Sequence, residues 1–385
     1  MIDENVHFWM VRTKKGYFYN EFISNEFVAL AWNIITAQTN FAASDALKDQ
    51  ILLKYEDIKR PTTVINKCKS FISDIKPGDY IVIPSANSTS ITIAIAGEYY
   101  EEESKTYKIE KEVISRIEKK DVQINEITCP YRKRRKITPI LTVDSSSVDG
   151  KLFRAISNYH GISNLDLYWR SILGLLYDSY SYHNNFNIVY HVGRTAPVGP
   201  RTLSKLLWAT TDCWSTLIDE EKISAQVQVA SPGPVDFQLS EIIPNCIEYV
   251  KLLGGLTIGV LAVTKPEAIP TLLKNLFSLP AEVSREYVAS ERAKLQLEQE
   301  KKHAPLETEA KELDNLEKKL AILEKLKALG ADPQTIEKAT TELSGTFPYL
   351  QITSAENRLP AAALNNNGNP DEKLEGEIAE EETAD

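Results

Sequence analysis

Residues 75–84 read Ile-Lys-Pro-Gly-Asp-Tyr-Ile-Val-Ile-Pro, and a second apolar run follows from Ile91 to Gly97. Pro77 fixes φ for a turn and Gly78 can take positive φ, so the backbone reverses there and enters a buried strand. The two runs predict a β-hairpin. Upstream, Phe8 to Val11 predicts an opening strand, and Phe27 to Trp32 predicts a second one that ends at Trp32. Small β-barrels are often built on such strands punctuated by a tight turn.

Four segments carry a family likeness: Trp9-Met-Val-Arg12, Ala29-Leu-Ala-Trp32, Phe71 to Asp79, and Ala94-Ile-Ala-Gly97-Glu-Tyr-Tyr100. Together they resemble the N-terminal PUA-like, or EVE-like, module found ahead of nuclease domains in Mrr-type restriction proteins. The resemblance covers residues 5–140, about a third of the chain. It implies a β-barrel with flanking helices that reads nucleic acid through a flipped or modified base. By analogy it also implies a role in bacterial defence against foreign DNA.

A chain of 385 residues accommodates two domains and a tail. Its apolar fraction of 43% and charged fraction of 25% exclude a wholly disordered or fibrous chain. The net charge of −10 is concentrated at the end, because residues 371–385 hold eight acidic side chains and one lysine. Cys68, Cys129, Cys213 and Cys246 stand apart, with neither a Cys-x-x-Cys pair nor a histidine at ligand spacing. They read as buried thiols, with no metal or cofactor expected. The N-terminal Met-Ile-Asp-Glu-Asn lacks the basic and apolar regions of a secretory signal, which sets the cytoplasm as the default compartment.

Beyond the hairpin, residues 101–126 are charged and alternating and read as exposed strands continuing the barrel, with Tyr107 and Ile109 facing one way and Val113 and Ile117 at a spacing that fits helix or strand. Tyr131 then precedes Arg132, Lys133, Arg134, Arg135 and Lys136. Such a run is either a solvated surface strip or a phosphate-contacting patch. Asp144 to Gly150 is polar with a turn signal and marks a domain boundary. Leu165 to Tyr180 reads as a helix capped by Ser163 or Asn164, and Asn187 to Val192 as a buried strand. Ala196 to Pro200 breaks the chain before a helix containing Leu203, Leu206 and Leu207. Two alternating runs around Pro232-Gly233, at 223–229 and 235–239, predict a second hairpin.

The apolar window 252–263 is too short for a membrane span of about 20 residues. Leu313, Leu316, Leu320, Leu323 and Leu326 recur at helical spacing among Glu and Lys, a stripe that ends at Gly330. Asp332 with Pro333 opens another helix. The expected fold class is α+β: a PUA-like β-barrel over 1–142, a mixed middle domain over 150–280, a helical coiled-coil-like segment over 281–350, and a disordered acidic tail over 360–385.

No catalytic constellation emerges. Asp149-Gly-Lys151 has the acidic-x-Lys form of a restriction nuclease, but its distance from Asp144 is too short and its setting is a Ser-rich loop. There is no phosphate-binding P-loop and no Gly-x-Ser-x-Gly elbow. His160, His183 and His191 make no triad. The expectation is therefore a non-catalytic, nucleic-acid-binding protein with an effector or scaffold domain, DNA being its partner ahead of RNA. Its candidate contacts are the aromatics Trp9, Trp32, Tyr99 and Tyr100, which stack on bases or fill the barrel core. Arg12, Lys14, Lys15 and the run 132–136 supply the cations. The alternative is a scaffold that oligomerises through the C-terminal helices or docks at a membrane edge.

Overall fold

The computed structural model describes residues 2–12, 14–119, 127–158, 161–227, 233–240, 321–322 and 324–353. These fall into two compact units, one reaching to Tyr177 and the other running from Asp178 to Thr353.

The first unit is built on a mixed six-stranded sheet in the order β2-β5-β4-β3-β1-β6. Its strands are β1 (Phe8–Arg12), β2 (Phe27–Leu30), β3 (Tyr80–Pro84), β4 (Ser90–Glu101), β5 (Lys133–Asp144) and β6 (Gly161–Asn164). The expected hairpin is β3 with β4, antiparallel and in register from Tyr80 opposite Ile95 to Pro84 opposite Ile91. Gly78, at φ +96°, makes the turn that enters it. β1 runs parallel to β3, so the chain between them must cross over, and helices α1 (Tyr19–Ser24), α2 (Ser44–Lys54) and α3 (Pro61–Lys69) lie in that crossover. Trp9 and Val11 of β1 join Phe22, Phe27, Leu30, Ile51, Cys68, Phe71 and Tyr131 in one continuous apolar core.

Two expectations are corrected here. Residues Tyr107–Glu118 form helix α4, not strands. Thr106 caps it through Oγ1, which accepts from Ile109 N, and Ile114 and Ile117 recur at helical spacing against the core. Asp144 to Gly150 does not end the unit either. Helix α5 (Gly150–Asn158), strand β6 and helix α6 (Trp169–Leu176) stay with it, because β6 adds a sixth strand beside β1, Trp9 opposite Asn164 through Arg12 opposite Gly161. The segment predicted as one capped helix thus holds only the shorter Trp169–Leu176; its predicted caps Ser163 and Asn164 lie in β6, and Ser179 and Tyr180 open a further strand.

The second unit centres on β8 (Asn185–Val192), which pairs with β7 (Ser179–Tyr182), β10 (Gly233–Leu239) and the short β11 (Ile352–Thr353). β9 (Ile223–Val227) completes the expected hairpin with β10. Alternate residues Phe186, Ile188 and Val192 pack with Leu206 and Trp214 of helix α7 (Pro200–Ser215) and with Ile336 and Leu343 of helix α8 (Pro333–Leu350). Asp332 caps α8, its Oδ2 accepting from Thr335 N at 2.9 Å. The window 252–263, the acidic tail and the stripe leucines 313, 316, 320 and 323 lie outside the described residues; Leu326 is buried in this unit. No helix among the described residues is long and apolar enough to cross a membrane.

Candidate functional site

β5 shows what becomes of the cationic run. Side chains alternate across a strand, so Lys133 and Arg135 turn inward and are buried to 0% and 2% exposure. Lys133 Nζ donates to the carbonyls of Trp32 at 2.7 Å and Ile35 at 3.0 Å. Burial lowers its pKa, opposed by nearby Cys68 and Glu110. Arg135 donates to the carbonyls of Gly97 at 2.7 Å and Phe71 at 3.2 Å. Arg134 lies over the Phe27 ring and donates to Cys129 O and Tyr131 O. Arg132 is held by Glu101, Nε to Oε2 at 2.7 Å. Only Lys136 points into solvent. The run is therefore no phosphate patch; four of its five cations satisfy buried carbonyls or a carboxylate of the same unit.

Trp9 is likewise structural. It is 8% exposed and its Nε1 donates to Asp79 Oδ2 at 3.0 Å. Tyr99 is half-buried, donates to Glu101 at 2.8 Å and meets Phe71 edge-on, while Tyr100 is half-buried on β4 opposite Arg134. These aromatics belong to the body of the sheet.

Arg12, Lys14, Lys15 and Trp32 do converge, on one cleft of about 780 Å³. Its apolar wall is Leu30, Ala31, Trp32, Tyr55, Ile58, Ile114 and Tyr131. Its charged lining adds Lys67, Lys111, Asp57, Glu110 and Glu118. Of the α4 residues on the cleft, Glu110, Ile114 and Glu118 follow a four-residue stripe that puts all three on one helix face, with Lys111 and Ser115 beside them. That stripe, behind the Thr106 cap, is the signal that would have found them.

Three residues of this cleft hold left-handed backbone: Lys14 at φ 45°, Lys15 at φ 56° and Trp32 at φ 67°. For a bulky side chain such a conformation costs roughly 1–2 kcal/mol and persists only where surrounding bonds impose it. At Trp32 those bonds are explicit. Its N–H donates to Glu110 Oε1 at 2.7 Å and its carbonyl accepts from Lys133. Glu110 Oε2 also accepts from Asn33 N at 2.9 Å and from the Tyr55 hydroxyl at 2.7 Å. Burial, and then the Glu110 charge, push the Tyr55 phenol far above its ordinary pKa, so it remains a donor. Asn33 is saturated too, its amide donating to Lys105 O and Pro130 O and accepting from Arg132 N.

The cleft cations differ in state. Lys14 pairs with Glu118 at 2.6 Å, and the Lys111 ammonium stands 5.7 Å from the Tyr55 ring centre. No hydrogen bond or ion pair holds the Arg12 side chain among the described residues; its Nε is buried without an acceptor, and burial lowers its pKa. No group of three metal-ligating side chains occurs among the described residues, and Cys68, Cys129 and Cys213 are buried, unlinked thiols.

A family model described as a domain of unknown function (DUF8426) matches residues 9–137. That span runs from β1 into β5 and contains Arg12, Trp32, Glu110 and Lys133, but stops short of Gly161. No curated protein and no solved structure matches the chain.

Proposed function

We propose that the first unit is a PUA-like or EVE-like reader module that binds nucleic acid, DNA ahead of RNA, by admitting one unstacked base to the cleft beside Trp32. The curled sheet then plays the part of the barrel, and Arg12, Lys15 and Lys67 contact the phosphates. The observation that carries this reading is the coincidence, in one cleft, of a tryptophan held in a costly conformation and an arginine whose buried Nε has no acceptor. Aromatic faces stack on any base, and cations supply sequence-independent affinity. A volume of about 780 Å³ falls within the usual range for ligand pockets, about 300–1,000 Å³. Binding is favoured over catalysis because Glu110 is committed to three donors and Glu118 to Lys14. The second unit serves as effector or scaffold, and by analogy with restriction proteins the whole acts in defence against foreign DNA.

Fluorescence anisotropy with plain, methylated and hydroxymethylated oligonucleotides at two salt concentrations tests this. Affinity is expected to fall with salt, and Trp32→Ala to weaken binding by about 1–3 kcal/mol, the cost of one lost stacking platform. Failure to bind any DNA or RNA would reject the proposal.

A further inference from the structure

The positive charge of the cleft is gathered at the end of one strand pair. Arg12 closes β1, and its register partner on β6 is Gly161. A Cβ placed on Gly161 would stand 3.0 Å from Lys67 Nζ, so the Lys67 ammonium lies against the end of the strand pair that Arg12 closes. Gly161, at φ +79°, is the residue that both makes the turn and leaves room for the lysine. Lys14 and Lys15 follow Arg12 along the chain in their left-handed turn. Burial depresses the proton affinity of both Arg12 and Lys67, the mark of cations withdrawn from water. The corner where Arg12 and Lys67 meet suits an anionic ligand. The buried Arg12 Nε, with no acceptor, is an independent pointer to the same conclusion, since orphaned buried donors are rare in folded proteins.

We propose that this corner of the cleft binds a phosphate monoester, the terminal phosphate of a nucleic-acid strand or of a mononucleotide, with Arg12 and Lys67 on the phosphate and Trp32 beside the attached base. The inference rests on the nucleic-acid reading above and specifies its ligand. A phosphate inside a strand carries a single charge and must leave the cleft on both sides. A terminal monoester carries about −1.5 to −2 at neutral pH and offers three acceptor oxygens at a chain end. The guanidinium fork of Arg12 matches two of those oxygens, and Lys67 adds a point charge. A concave seat with several converging cations suits the end of a strand better than its middle.

Anisotropy with the full-length chain can compare one single-stranded oligonucleotide carrying a 5′-phosphate, a 3′-phosphate or hydroxyl ends, using nucleoside monophosphates, nucleosides and inorganic phosphate as competitors. One phosphate-ended form is expected to bind about tenfold more tightly than the hydroxyl-ended form, the scale of an added charge-assisted contact. Nucleoside monophosphates should compete where nucleosides do not. Arg12→Gln and, separately, Lys67→Gln should bring the phosphate- and hydroxyl-ended affinities together. Equal affinity of the intact chain for all three ends, with Trp32→Ala still weakening each, would overturn the monoester seat and leave the nucleic-acid reading standing. Binding of mononucleotides without binding of any strand would support the seat and reject nucleic acid as its source. No binding of either would remove both.

Discussion

Glu110 and Lys133 grip a single residue from opposite sides: the carboxylate takes the N–H of Trp32 and the ammonium takes its carbonyl, each at 2.7 Å. Both charges are buried, and neither lies next to Trp32 in the chain. The left-handed backbone of Trp32 is thus imposed by two distant elements, α4 and β5. Such a residue is set before any ligand arrives, which is what a stacking platform requires.

Removing the carboxylate strands three donors, the buried Asn33 N–H and the partly buried Trp32 N–H and Tyr55 hydroxyl. Glu110→Ala is expected to destabilise the first unit by about 3 kcal/mol, since each orphaned group costs roughly 1–3 kcal/mol. Glu110→Gln, with one acceptor oxygen in place of two, should fall between the variant and the parent. Urea unfolding followed by circular dichroism measures both. An unchanged midpoint for Glu110→Ala would show that the hub carries no load.

The alternation of β5 makes a paired forecast. Lys133→Met removes the side-chain donor from the carbonyls of Trp32 and Ile35, the first of which keeps only its bond from Ile35 N at 3.0 Å, and should cost about 1–3 kcal/mol. Lys136→Met, on the exposed face of the same strand, should stay within about 0.5 kcal/mol of the parent. Thermal denaturation of the two variants side by side separates an inward lysine from an outward one. Similar losses in both would contradict the strand register.

Lys15 trades stability for position. It is exposed and held at φ 56°, a conformation glycine adopts without penalty. Lys15→Gly should therefore raise stability by about 1 kcal/mol while lowering oligonucleotide affinity and flattening its salt dependence. Stability by calorimetry and affinity by anisotropy should move in opposite directions; a parallel fall in both would refute the trade.

His7 links stability to pH. Its Nδ1 lies 2.9 Å from Asp166 Oδ2, and that hydrogen bond raises the histidine pKa above 6.5. A raised folded-state value means that the stabilisation is fully present below 6.5 and is lost as pH rises through the folded-state pKa. Asp166 works in the opposite sense. Burial alone would raise its pKa, but hydrogen bonds from Phe8 N, Asn164 and His7 hold it below the usual carboxylate value, so its contribution is lost in acid. Melting temperature should accordingly fall from mildly acidic to mildly alkaline pH, and His7→Gln should remove that slope. Because the pair is largely exposed, the effect should be modest and weaken in salt.

The hairpin of β3 and β4, strands β1, β2 and β8, the β9–β10 pair and the cap of α8 could all be read from residues close together in the chain. Their cues are local: alternating apolar positions, a Pro-Gly turn, and an aspartate ahead of a proline. Trp32 was legible for the same reason, as an aromatic ending an apolar run. α4 was not, because its charged residues hide a four-residue stripe whose meaning depends on which face finds a partner.

By itself, then, the sequence determined β1, β2, the β3–β4 hairpin with its turn, β8 and the β9–β10 pair, and that Arg12, Lys14, Lys15 and Trp32 sit at the margins of strands. Tertiary structure alone decided which charges serve the interior and which face the cleft. Five adjacent cations look alike in a sequence, yet pairing β5 between β2 and β4 buries Lys133 and Arg135 against backbone carbonyls and leaves Lys136 in water. Side-chain periodicity is a property of neighbours along the chain, whereas the partner of a buried charge lies wherever the fold brings an unsatisfied group, here 78 residues from Glu110 to the Trp32 amide.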